Sequence, residues 1–176
     1  MLGSQLILRA LALLKRLLPT SSDTLTDFTN QAQSEVQPNE LISSYVYQAN
    51  HVVKKTNSIH HTRLMPRRRG GKPNARLETS VCRSNNLSEA QIWEICREFF
   101  DSMGPKYAIG RGVGEAEAVK NVGLKFDPDG RPYPQHANIV GWHDPGNVPD
   151  SEIKHFWIDQ AQKMAPHFSY RVRPPA

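Results

Sequence analysis

The 176 residues carry 22 Lys and Arg against 17 Asp and Glu, a net charge of +5, with 38% apolar side chains and 13 prolines. That length suits about one domain, and the low apolar fraction with so many prolines implies long loops beside a core in the C-terminal two-thirds. The two cysteines, Cys82 and Cys96, show no CxxC spacing, which excludes a disulfide framework and a metal knuckle and points to a reducing, cytosolic compartment.

The charge is unevenly placed. Residues 1–40 hold three basic and four acidic side chains, residues 41–77 hold eight basic and no acidic ones, and residues 78–176 hold eleven basic and thirteen acidic ones. The excess is therefore one basic segment: Lys54, Lys55, Arg63, Arg67, Arg68, Arg69, Lys72 and Arg76. Such an asymmetry points to an anionic partner for that segment, nucleic acid or an acidic protein, and not to a basic globular surface.

In chain order, residues 1–19 form the first unit. The run 5–18 is leucine-rich, carries Arg9, Lys15 and Arg16 within one third of a helical wheel, and stops at Pro19. It is an amphipathic helix too short to span a bilayer, which takes about 20 residues. No charged region precedes the apolar run, unlike a secretory signal, and no acid appears before Asp23, as in an organellar presequence or a membrane-surface helix. Docking on its own domain or on a partner is the ordinary fate of such a stripe. Residues 20–39, rich in Ser, Thr, Gln and Asn without a period, read as a linker.

Residues 40–76 read as a helix followed by a basic arm. From Glu40 to Lys55, Leu41, Ile42, Tyr45, Val46, Ala49, Val52 and Val53 recur at spacings of three and four, with Asn39 as N-cap. In the arm, Pro66, Gly70, Gly71 and Pro73 exclude a stable helix or a central strand. Its charges can track phosphates, with salt-sensitive binding. No aromatic residue interleaves the arginines, which argues against a base-stacking platform. A solvated loop is the alternative. His60 and His61, adjacent in the chain, point apart in extended backbone and suit no single metal.

Residues 77–176 read as the compact core. Leu77 to Arg83 alternates as a half-buried strand. A helix over 89–103 opens with a capping box, Ser88 at N-cap and Gln91 at N3, with Leu87 and Ile92 placed as a hydrophobic staple. Gly104-Pro105 ends it, and Cys96 falls on its apolar face. A short strand at Tyr107–Ile109 precedes Gly110-Arg111-Gly112-Val113-Gly114. That run fits neither GxGxxG nor the Walker pattern and reads as a tight entry into a helix over Glu115–Val122. Strands at 124–126 and 137–142 follow, then a helix from Ser151 to Ala165 with Asp150 as N-cap, and a final edge strand within 168–173.

His136 at a strand start is the candidate general acid or base, with Arg111 and Glu78 as candidate neighbours. His136 and His143 fall on opposite faces of a regular strand, which separates them as a metal pair, and no residue set names a cofactor.

The stretches Ser44-Tyr45-Val46-Tyr47, Glu78-Thr79-Ser80-Val81, Leu87-Ser88-Glu89 through Ile95, Asp127-Pro128 and His136-Ala137-Asn138-Ile139-Val140-Gly141-Trp142 resemble a family of short bacterial proteins of uncharacterised function. The likeness spans roughly residues 41–165 and brings no activity or site residue with it. It implies a bacterial, cytosolic setting. Cys82 stands where the resemblance leads one to expect an aromatic residue, which lowers the case for a cysteine nucleophile.

The expected fold is α+β, a small mixed or antiparallel sheet packed by helices mainly on one face. Two functions fit: an accessory or interaction protein with nucleic acid on its basic arm, or a compact hydrolase or phosphoryl-handling enzyme using His136, Arg111 and Glu78.

Overall fold

The computed structural model describes residues 34–69, 75–100, 107–146 and 148–175. The leucine-rich run 5–18, most of the expected linker, and Lys72 lie outside the described residues. Among those described, the chain is an α+β domain. Its strands are β1 (Leu41–Val46), β2 (Val52–Val53), β3 (Ser58–Ile59), β4 (Arg67–Arg69), β5 (Arg76–Arg83), β6 (Gly110–Glu115), β7 (Lys125–Asp127), β8 (His136–Val140) and β9 (Ser169–Val172). Its helices are α1 (Glu89–Ile95), α2 (Glu117–Lys120) and α3 (Asp150–Met164). No helix among the described residues is long and apolar enough to cross a membrane.

The sheet runs β2-β3-β9-β6-β1-β5-β8-β7, with β4 pairing β5 off this path, and every pairing is antiparallel. Because β5 and β6 both run antiparallel to β1, they are parallel to each other. The unit β5-α1-β6 is thus a βαβ crossover with β1 inserted between its strands.

The alternation of side chains divides the sheet into two faces. On one, Ile42, Val46, Leu77, Val81, Ala137 and Ile139 pack against Ile153, Trp157, Ala161 and Met164 of α3. On the other, Tyr45 and Cys82 meet Ile92, Trp93, Ile95, Cys96 and Phe99, and the Tyr45 hydroxyl donates to Ile92 O at 2.8 Å. The two long helical segments therefore lie on opposite faces. The Ser88–Gln91 capping box is present, and the helix continues from α1 as a π turn over Cys96–Phe100. Asp150, expected as the N-cap of α3, lies in its first turn after Pro149.

Four further expectations change. The helix expected over Glu40–Lys55 is strand β1, a 3-10 turn (Ala49–His51) and β2. β1 has strands on both sides and helices over both faces, so both of its faces are buried, and Ile42, Tyr45 and Val46 on the two faces fall at spacings that imitate a helix. The expected linker also enters the fold before residue 39. Val36 is 1% and Glu40 4% exposed, and Glu117 N–H donates to Pro38 O at 2.8 Å.

The glycine-rich run is the interior strand β6, not a turn. A Cβ on Gly112 would lie 2.6 Å from Ile59 Cγ2, and one on Gly114 would lie 2.7 Å from His167 O. The glycines thus let neighbouring chain press onto that face of β6, while Arg111 and Val113 project from the other. β9, expected at an edge, sits between β3 and β6.

Candidate functional site

One flank of β5 is shared. β4 pairs with its first half, from Arg76 to Glu78, and β1 pairs with its end at Cys82 and Arg83. On the other flank β8 pairs continuously with Thr79–Cys82. Between β1 and β4 the chain crosses to the far edge of the sheet as the β2–β3 hairpin and returns by a 3-10 turn over His61–Arg63. The split so produced holds an open cavity of about 410 Å³.

Arginines dominate its wall. Arg67 and Arg69 both line it, two residues apart on β4 and therefore on the same face, while Arg68 between them turns to the other. Arg67 and Arg69 are exposed and make no ion pair with any described carboxylate. Arg63 lines the cavity from the 3-10 turn. Its Nε–H donates to Tyr45 O, and its guanidinium lies 5.8 Å from the centre of the Tyr47 ring. Burial pushes the Arg63 pKa down to about 10; Tyr47 works in the opposite sense and the nearby positive charge of Arg67 adds to the depression. The rest of the wall includes Tyr47, His51, Met65, Glu78 and Ser80. Thr79 fixes the floor, its hydroxyl donating to the carbonyl of buried Leu64 at 3.0 Å.

The basic segment is thus split by role. Arg68 pairs with Asp144 at 2.8 Å and Asp150 at 2.7 Å, tying β4 to the start of α3. Arg76 bridges Glu78 at 3.0 Å and Asp127 at 2.8 Å. Lys54 and Lys55 are exposed on the turn between β2 and β3 and do not line the cavity. Of the eight basic residues picked out by charge, Arg63, Arg67 and Arg69 meet at the cavity, and Arg68 and Arg76 are engaged by carboxylates.

The three candidate acid–base residues sit in three separate sets of contacts. Glu78 lines the cavity and accepts from Arg76. Arg111 is buried under α1, donating to Ser43 Oγ at 2.5 Å and to Glu89 Oε1 at 2.7 Å. Burial pushes the Glu89 carboxyl up, but the bonds from Arg111 and then Arg171 outweigh it and hold that group below the usual range. His136 is buried with its Nδ1 2.5 Å from Asp129 Oδ1. His136 lies opposite Cys82, four positions along β5 from Glu78, so the two are separated by about 13 Å of strand. Arg111 is two strands away from β5, beyond β1.

A polar chain runs from the cavity wall toward His136. Ser80 Oγ donates to Asn138 Oδ1 at 3.2 Å, and Asn138 Nδ2 donates to Asp129 Oδ2 at 3.3 Å. Cys82 is no nucleophile in this setting, since burial pushes its thiol up to about 12. Among the described residues no group of three or more His, Cys, Asp or Glu is placed to hold a metal ion.

Sequence reasoning missed Tyr47, His51, Met65 and Ser80 as wall residues and Asp129 as the partner of His136. The Tyr45/Tyr47 alternation was the available signal for a strand that aims Tyr47 with Tyr45 at one face. The contact of Asp129 with His136 depends on how the loop between β7 and β8 folds, which no local spacing encodes. No protein-family model, curated protein or solved structure matches this chain.

Proposed function

We propose that this is a small accessory protein of a bacterial cytoplasm that binds nucleic acid through the cavity beside β4. The observation that carries the reading is the pair Arg67 and Arg69, exposed on one face without a carboxylate partner among the described residues and next to the half-buried guanidinium of Arg63. Guanidinium groups gathered at a partly enclosed site repel one another unless an anion joins them, and phosphate matches their planar donor geometry. Neither Cys82 nor Cys96 is in a disulfide and both thiols are buried, which suits a reducing compartment.

The test is a binding titration against DNA and RNA at several salt concentrations, run beside an Arg67→Ala/Arg69→Ala variant. The intact protein is expected to show a steep loss of affinity with salt. Removing two phosphate contacts lowers the slope of log K against log salt by about 1.4 for a single strand. Equal slopes for the two proteins overturn the reading, and binding to acidic polypeptide alone replaces nucleic acid with a protein partner.

A hydrolase or phosphoryl-handling enzyme is the second reading, favoured by the Asp129–His136 contact, since a carboxylate on Nδ1 orients an imidazole as a base at its other nitrogen. It requires turnover of a phosphoester or acyl ester that His136→Ala abolishes, and inert intact protein removes it.

A further inference from the structure

Glu78 is out of place in a wall built for phosphate alone. It lines the same cavity as Arg67 and Arg69 and stands directly opposite Arg67 across the β4–β5 pair, yet its carboxylate bonds Arg76 instead. The side chain is only 12% exposed. Arg76 Nε occupies Oε2, and among the described residues nothing donates to Oε1. Oε1 is therefore open to accept a hydrogen bond from the cavity, while the negative charge there weakens the hold on a bare anion. That repulsion is offset if the ligand brings a donor along with its phosphate.

A nucleotide does this when its base carries an exocyclic amine. Adenine, guanine and cytosine have one; uracil and thymine present a carbonyl instead. Two further features match. Arg67 and Arg69, two apart on a strand, stand about 7 Å from each other, the scale of successive phosphates on an extended single strand. Tyr47, half-buried in the wall, offers an aromatic surface of the kind on which unpaired bases stack. A duplex cannot use this arrangement, because its Watson–Crick amines are already paired and its bases stay in the stack.

We propose, resting on the nucleic-acid reading, that the cavity takes an unpaired nucleotide of a single strand: phosphates on Arg67 and Arg69, base against Tyr47, and the exocyclic amine of that base on Glu78 Oε1. Glu78 is then the residue that discriminates between bases. Cytosine and uracil give the cleanest comparison, since the exchange of amine for carbonyl at position 4 (with the matching change at N3) is their whole difference.

The experiment is fluorescence anisotropy with labelled oligo(dC) and oligo(dU) of equal length, each also annealed to its complement. The proteins are the intact chain, Glu78→Gln and Arg67→Ala/Arg69→Ala, each checked for an unchanged circular dichroism spectrum. The intact protein is expected to bind single-stranded oligo(dC) about tenfold more tightly than oligo(dU), the worth of one charge-assisted base contact. It should bind both duplexes more weakly. Glu78→Gln should erase the difference, and the double arginine variant should lose both ligands.

Equal affinity for oligo(dC) and oligo(dU), or duplex binding as tight as single-strand binding, overturns this inference while a loss in the arginine variant leaves the broader reading standing. Binding that does not respond to the arginine changes overturns both. The comparison on intact protein holds even if Glu78→Gln misfolds.

Discussion

Arg83 and Arg111 are two buried guanidinium groups with different supports. Arg83 donates through Nε and Nη2 to the two oxygens of Glu40, at 2.6 and 3.0 Å, and to the backbone and hydroxyl of Ser34. Both side chains of the pair are 5% exposed, so each charge depends on the other for its solvation. Arg111 instead holds Ser43 and the half-exposed Glu89, and its Nε has no partner among the described residues. Removing Glu40 should therefore be the more damaging change. Glu40→Ala is expected to destabilise the fold by about 3–5 kcal/mol, because it strands a buried cation, read as a lowered urea midpoint at unchanged slope. A Glu40→Leu/Arg83→Met double variant should recover most of that loss, and a double variant as unstable as the single would show that the damage lies in packing. None of this was legible from the residue types: Glu40 looked like the start of a helix and Arg83 like the end of a half-buried strand.

At the scale of elements, local signals were reliable where the chain satisfies itself locally. The capping box of α1 is made within four consecutive residues, so sequence alone located it. β5, β7 and β8 were likewise visible from alternation and the turns between them. β1 and β6 were not, because their patterns answer to distant partners: β6 is glycine-rich to admit Ile59 and Phe168, and β1 is apolar on both faces to meet both clusters. In the arm, β4 pairs with β5 alone among the described residues, so it is neither a helix nor a central strand. Its prolines and glycines flank β4, whose place is fixed by β5 and by the Arg68 clamp on Asp144 and Asp150.

That clamp has a pH signature. The hydrogen bond from Arg68 holds the Asp144 carboxyl below its ordinary value of 3.8, against a smaller opposing effect of burial. A carboxyl whose folded pKa is depressed contributes its stability above the unfolded pKa and loses it as pH falls through the folded one. Arg68→Gln should thus lower stability at neutral pH by about 0.5–1 kcal/mol, discounted for the partial exposure of both groups. The gap to the parent protein should close as the solution is acidified below the ordinary carboxylate range. Denaturant melts of the two proteins across that range check it, and a gap constant with pH would mean that Arg68 acts through packing alone.

For the whole molecule, charge draws attention to the basic segment but does not show that the chain before it belongs to the same sheet as the core from Leu77 onward. β1 lies between β5 and β6, so the sheet cannot close without the residues that precede the arm. Charge counting finds an excess of arginine; only the tertiary fold divides it into Arg68 and Arg76, engaged by carboxylates, and Arg67 and Arg69, which face the cavity. The same logic sets where the folded unit begins. Val36 is in the core, its carbonyl accepts from Lys120 Nζ at 2.7 Å, and Ser34 holds Arg83. A chain starting at residue 34 keeps all of these contacts and should melt within a few degrees of the full-length protein. A chain starting at residue 41 loses Val36 and leaves Arg83 without Glu40, and it should be unfolded or strongly destabilised. Thermal melts of the two truncations decide the boundary. If the longer one unfolds as readily as the shorter, the boundary drawn at residue 34 is overturned and the folding unit needs residues that precede it.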